Sequence, residues 1–110
     1  MLTRDDVRRI ALSMPEAYEE PHFDLASFRV AKKIFCTMGE HRPPIMLKLD
    51  PEDQANLVAD DPARIEPVPG AWGRKGSTLV RFETLDEAKL TALIRLAWAT
   101  VAPKRLTRAG

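Results

Sequence analysis

At Phe28 to Val30 and again at Ile45 to Leu49 apolar side chains recur at every second position, whereas before Pro15 and after Thr84 they recur at every third or fourth. This change of period is the strongest constraint on the fold. Strands that follow one another with no helix between them pair antiparallel, because a parallel pair needs a crossover of a dozen residues or more. Phe28 and Val30 alternate with Arg29 and Ala31, the run Ile34 to Met38 is rich in β-formers and stops at Gly39, and Ile45, Leu47 and Leu49 alternate with Met46 and Lys48. A hairpin and a third half-buried strand follow. Lys32-Lys33 falls at the hairpin tip and is not the Asn-Gly type of pair, so the turn is expected to be wider than two residues or strained.

Helices bracket these strands. Thr3 with Asp6 forms a capping-box pattern, and Val7, Ile10, Ala11 and Met14 make one apolar stripe that Pro15 ends. Residues 16–24 read as irregular, with at most a short edge strand. Asp50-Pro51-Glu52-Asp53 opens a second helix, with Asp as N-cap and Pro where its missing N–H is harmless, running to Val58 or Ala59. Residues 60–76 hold three prolines and three glycines and form the longest irregular stretch, with room for a short strand at Arg64 to Val68. Thr78, Val80 and Phe82 mark a last strand. Thr84-Leu85-Asp86-Glu87 reads as a capping box for a helix whose face runs from Leu90 through Trp98 to Val101 before Pro103. The expectation is one α+β domain over residues 1–110: two layers, a mostly antiparallel sheet backed by helices, in the order α-β-β-β-α-β-β-α.

Charge and cysteine content narrow the function classes. Seventeen Lys and Arg against sixteen Asp and Glu leave a formal charge of +1, so attraction to nucleic acid or an anionic membrane has to come from a local patch. The single cysteine, Cys36, provides neither an internal disulfide nor a Cys-rich zinc site, and inside a strand it reads as a small buried hydrophobe. The N-terminal segment is acidic and no window approaches the ~18 apolar residues of a membrane span, so a cytoplasmic address with no membrane partner is expected. His22 and His41 lack metal-ligand spacing, no serine lies in a GxSxG elbow, and the glycines near Trp72 are not a phosphate-binding loop. No catalytic residue, metal or cofactor is expected. The adjacent acids, such as Asp5-Asp6 and Asp86-Glu87, suit helix starts rather than a catalytic pair.

The cations are more suggestive. Lys32 and Lys33 lie at the hairpin tip, Arg42 in the next loop, and Arg74 and Lys75 beside Trp72 in the Gly-rich segment. Basic tips of this kind touch phosphates, and an aromatic flanked by cations can stack on a base or wedge into a groove. Lysine at a turn also serves plain edge protection. The rival reading is a protein- or small-ligand-binding domain that docks its partner on the sheet face, through Phe35, Thr37 and Met46, or on the loop around Trp72. Lys104, Arg105 and Arg108 complement the negative end of the last helix.

The segments Phe28-Arg29-Val30-Ala31-Lys32-Lys33-Ile34-Phe35, Ile45-Met46-Leu47-Lys48-Leu49 with Asp50-Pro51-Glu52, Pro69-Gly70-Ala71-Trp72-Gly73-Arg74-Lys75-Gly76, and Leu93-Ile94-Arg95-Leu96-Ala97-Trp98 with Val101-Ala102-Pro103-Lys104-Arg105-Leu106 together resemble the MmcQ/YjbR family. His22-Phe23 also fits that pattern, while Ser77 stands where many members carry Trp. The resemblance covers nearly the whole chain. It implies an α+β fold similar to the two-layer arrangement of secretion chaperones, and a DNA-binding role assigned to the family by analogy with double-wing modules. It carries over no catalytic residue.

Overall fold

The computed structural model describes residues 1–40 and 44–108. Helix α1 (Arg4–Leu12) starts where Thr3 Oγ1 accepts the Asp6 N–H at 3.2 Å and the Asp6 carboxylate accepts the Thr3 N–H at 2.7 Å, a complete capping box. Strands β1 (Tyr18–His22), β2 (Leu25–Val30), β3 (Lys33–Gly39) and β4 (Ile45–Lys48) follow, then α2 (Pro51–Asp60), β5 (Ile65–Pro67), α3 (Ala71–Arg74), β6 (Ser77–Val80), α4 (Glu87–Val101) and α5 (Lys104–Thr107). The six-stranded sheet has the order β1-β2-β3-β4-β6-β5, and each neighbouring pair is antiparallel. This is the expected α+β architecture. The edge strand allowed for in residues 16–24 is β1, and both edge strands carry a proline, Pro21 and Pro67, which discourages pairing with another chain.

Helix α4 lies across β2, β3 and β4, and α1 packs on α4. The core between helices and sheet joins Val7, Ile10, Leu90, Leu93, Ile94 and Trp98 to Phe28, Cys36, Leu47 and Val80. Trp98 Nε1–H donates to the Pro15 carbonyl at 3.0 Å, which satisfies the indole and ties the end of α1 to α4.

Three local expectations change. Phe35 does not face outward: the register shifts between Phe28 and Arg29, so Phe35 is the extra residue of a β-bulge and is fully buried. With Thr37 buried and Met46 half-buried, the outward apolar patch of Phe35, Thr37 and Met46 does not form. Helix α4 is capped not by Thr84 but by Asp86, whose carboxylate accepts the Lys89 N–H at 2.7 Å. Thr84 is instead engaged by Arg64, whose Nη1 donates to its carbonyl and hydroxyl oxygens at 3.1 and 3.2 Å. Strand β6 ends at Val80, and Phe82, though buried, lies beyond it in a turn closed by the Leu85 N–H on the Phe82 carbonyl.

Candidate nucleic-acid interface

The β2–β3 connection is a two-residue turn. Ala31 and Lys32 both have positive φ, 50° and 69°, and Val30 pairs with Lys33 directly behind them. Consecutive left-handed residues match the twist of a hairpin but normally call for Asn or Gly, and each non-glycine here costs roughly 1–2 kcal/mol. Of the two expected alternatives the turn is the strained one, not the wider one, and it lies one residue earlier than expected, at Ala31-Lys32 with Lys33 already in β3. It is held from the side by Tyr18, whose hydroxyl oxygen accepts the Lys32 N–H at 3.1 Å.

Tight packing also fixes the segment that carries Trp72. A Cβ on Gly73 would stand 1.8 Å from the Val68 carbonyl oxygen, and one on Gly76 would stand 1.9 Å from the Leu49 carbonyl oxygen, so the backbone passes where no other residue fits. Gln54, buried on α2, points its two Nε2 hydrogens at three acceptors, the Gly73 carbonyl at 3.0 Å, the Ser77 carbonyl at 3.1 Å and Thr78 Oγ1 at 2.9 Å. Lys48 Nζ donates to the Lys75 carbonyl at 2.7 Å. On this clamped support Trp72 is 68% exposed, with Lys75 Nζ 6.0 Å from its ring centroid.

Topology brings the two elements to one end of the sheet. Strand β3 begins at Lys33, β4 ends at Lys48, and β6 begins at Ser77; because β4 lies between β3 and β6, the strands that carry the two basic segments are two strand spacings, about 10 Å, apart. Lys32, Lys33, Trp72, Arg74 and Lys75 therefore share one end, joined by Lys48. Arg42 lies outside the described residues; the strand ends flanking it, Gly39 and Ile45, stand at the opposite end of the sheet.

Among the described residues the cations at this end make no ion pair, although Asp50, Glu52 and Asp53 open α2 just beyond Lys48 at the same end. Elsewhere Arg8 pairs with Glu19 at 3.0 Å, Arg9 with Glu87 at 2.7 Å, Arg64 with Asp61 at 2.8 Å and Arg105 with Glu16 at 2.7 Å, and Arg29 and Arg81 also have carboxylates in reach. Among the described residues none lies within ion-pair distance of Lys32, Lys33, Lys48, Arg74 or Lys75. Composition missed Lys48 and Gln54. Gln54 had a signal, since it stands with Leu57 and Val58 on the inward stripe of α2, where a lone polar residue needs buried partners.

The opposite end differs. A groove of about 1050 Å³ runs between α1 and the β1–β2 hairpin, lined by Arg4, Arg8, Glu19, Leu25 and Met38 and bordered by Phe23. Phe23 is 92% exposed with φ of 59°, and the His22 ring meets it edge-on at 4.8 Å. Cys36 is buried and free, and burial pushes its thiol well above the ordinary range, so no thiolate nucleophile is available. No group of three or more His, Cys, Asp or Glu among the described residues is arranged to hold a metal ion, and none of their helices is long and apolar enough to cross a membrane.

The family model YjbR matches residues 12–100. The chain belongs to the YjbR family. Its fold is shared with the crystal structure of Deinococcus radiodurans protein DR2400, which carries the domain DUF419: the TM-score is 0.79 and the identity 24%, over 99% of this chain and 85% of that one. No protein of curated function matches by sequence. The matched YjbR region contains the hairpin tip, the Trp72 segment and both clamps that hold it, so the basic end is built from family sequence rather than from a terminal addition.

Proposed function

We propose that this YjbR-family protein is a non-enzymatic, cytoplasmic nucleic-acid-binding module that contacts the phosphate backbone of DNA with Lys32, Lys33, Arg74 and Lys75. Lys48 adds its charge to the same end, and Arg42 is a further candidate contact. The observation that carries the reading is the convergence of cations without an ion-pair partner around an exposed, rigidly supported Trp72. Cations not engaged in an ion pair are available to phosphates, and a backbone already ordered loses little entropy on binding. A free, buried Cys36 suits a reducing compartment.

The test is a fluorescence-anisotropy titration with labelled duplex DNA across a salt series. Four engaged cations predict a slope of log K against log salt near −3.6, since each neutralised phosphate contributes about −0.9. The quadruple variant Lys32→Ala, Lys33→Ala, Arg74→Ala, Lys75→Ala is expected to lose most of that slope while staying folded. Absence of binding at low salt, or a flat salt response, refutes the proposal.

A second reading, a protein- or small-ligand-binding domain, is supported by the groove at the opposite end, where a fully exposed Phe23 sits on a left-handed backbone. Strain at an exposed aromatic is a feature of binding surfaces.

A further inference from the structure

We propose that the strand recognised at the basic end is single-stranded, with Trp72 stacked on an unpaired base while the flanking cations hold the neighbouring phosphates; this inference rests on the nucleic-acid reading above. Duplex readers place a helix or a projecting β-ribbon in a groove. Helix α3 has four residues, about 6 Å of axis, too short to lie along a major groove about 12 Å wide and 8.5 Å deep. The β2–β3 tip does not project either. Val30, the residue before the turn, is fully buried, and the Lys32 N–H is tied to Tyr18, so the backbone emerges from the core by only about one strand step of 3.4 Å. Neither element reaches base edges inside a groove.

A single strand removes that difficulty, because its bases come to the protein. Trp72 presents a broad apolar ring at the surface, and a duplex flank offers it only sugar and phosphate, whereas an unpaired base offers a π-face. The ring is also pre-positioned: the Gly73 and Gly76 close approaches and the Gln54 hydrogen bonds fix the backbone beneath it. Lys75 Nζ stands over one face of the ring, 6.0 Å from its centroid, so the base stacks on the other face and the ammonium lies close enough to meet a phosphate of the same strand. Lys32 and Lys33, about two strand spacings away, suit the phosphates of a flexible chain leaving that stack.

The experiment titrates the full chain with a labelled 12-mer oligothymidylate and, separately, a blunt 12-base-pair duplex, reading anisotropy together with intrinsic fluorescence. Trp98 is buried, so a fluorescence change on binding reports Trp72. The single strand is expected to bind about tenfold more tightly and to quench the emission, the scale of one base–aromatic stack. Trp72→Ala is expected to bring the ratio of the two affinities close to one, Trp72→Phe to keep most of it, and the quadruple cation variant to weaken both ligands. Equal affinities or a duplex preference in the wild type overturn the inference while leaving the nucleic-acid reading standing; no binding of either ligand at low salt removes both. A ratio that survives Trp72→Ala also overturns it.

Discussion

The support beneath Trp72 makes a prediction that separates backbone conformation from close packing. Gly70 and Gly76 both have positive φ, 87° and 112°, yet only Gly76 is crowded. A Cβ at Gly70 meets nothing within 4 Å, whereas at Gly76 it lands 1.9 Å from the Leu49 carbonyl oxygen. Gly70→Ala should therefore cost conformational strain alone, about 2 kcal/mol. Gly76→Ala carries similar strain and must also move backbone that is hydrogen-bonded in place: the Gly76 carbonyl accepts the Leu49 N–H and the Thr78 hydroxyl, each at 2.9 Å. Losing or stretching those two bonds adds about 1 kcal/mol each, and relieving the overlap about 1 more, for a total near 5 kcal/mol. For a domain of this size each kcal/mol lowers Tm by about 4 °C, so the two variants should fall by about 8 and 20 °C.

The assay is urea and thermal unfolding followed by far-ultraviolet circular dichroism and by emission of the buried Trp98, whose coincidence tests two-state behaviour. A Gly76→Ala chain that is already unfolded at 25 °C counts as the larger cost. If the two substitutions prove equal within about 0.5 kcal/mol, the margin expected for ordinary surface changes, the close approach of Gly76 to Leu49 carries no energy and the account of a clamped Trp72 segment is wrong.

Two further outcomes follow from local features. The Thr3 N–H and hydroxyl bond to the Asp6 carboxylate and hold it below its ordinary value of 3.8, so its contribution to stability is present above that pH and is lost as pH falls through the lowered folded value. Asp6→Asn is accordingly expected to be destabilising at pH 7 and to approach wild type in urea midpoint as pH falls below the ordinary carboxylate range; a gap that widens on acidification refutes the assignment. Phe23 is exposed at φ 59°, so Phe23→Gly relieves strain without uncovering core and should raise the urea midpoint, by about 1 kcal/mol in stability; a drop of similar size would show that the ring holds the hairpin through His22.

Local chemistry made much of the fold legible. Thr3 with Asp6 and Asp50 with Pro51 fix the starts of α1 and α2 through contacts within four residues, and the alternation at Ile45 to Lys48 fixes which face of β4 is buried. What sequence could not show depends on partners far along the chain. Phe35 turns inward because β2 and β3 slip by one residue, a property of the pair and not of either strand. Thr84 and Asp86 are both good caps on paper, and Arg64, twenty residues away, decides between them by engaging Thr84. The candidate site divides the same way. Its tip and its tryptophan stood out in the sequence, but their meeting at one end depends on β4 lying between β3 and β6, and Lys48 enters only through that order.

The near-zero net charge is the clearest case of composition concealing arrangement. A formal +1 suggests a molecule indifferent to polyanions, and averaged over the surface that is so. Six arginines, however, have carboxylate partners at their own positions, which cancels much of the acidic count where it stands. The cations left without an ion pair are not spread evenly: Lys32, Lys33, Lys48, Arg74 and Lys75 gather where three strand ends meet, with Asp50, Glu52 and Asp53 of α2 as the nearby acids. At physiological salt a field is screened over about 8 Å, so a phosphate chain within that distance of this end responds to the local cations and hardly at all to the paired charges beyond. A polyanion brought to this end would thus feel the local arrangement of these side chains, and the net charge of the chain says little about that local field.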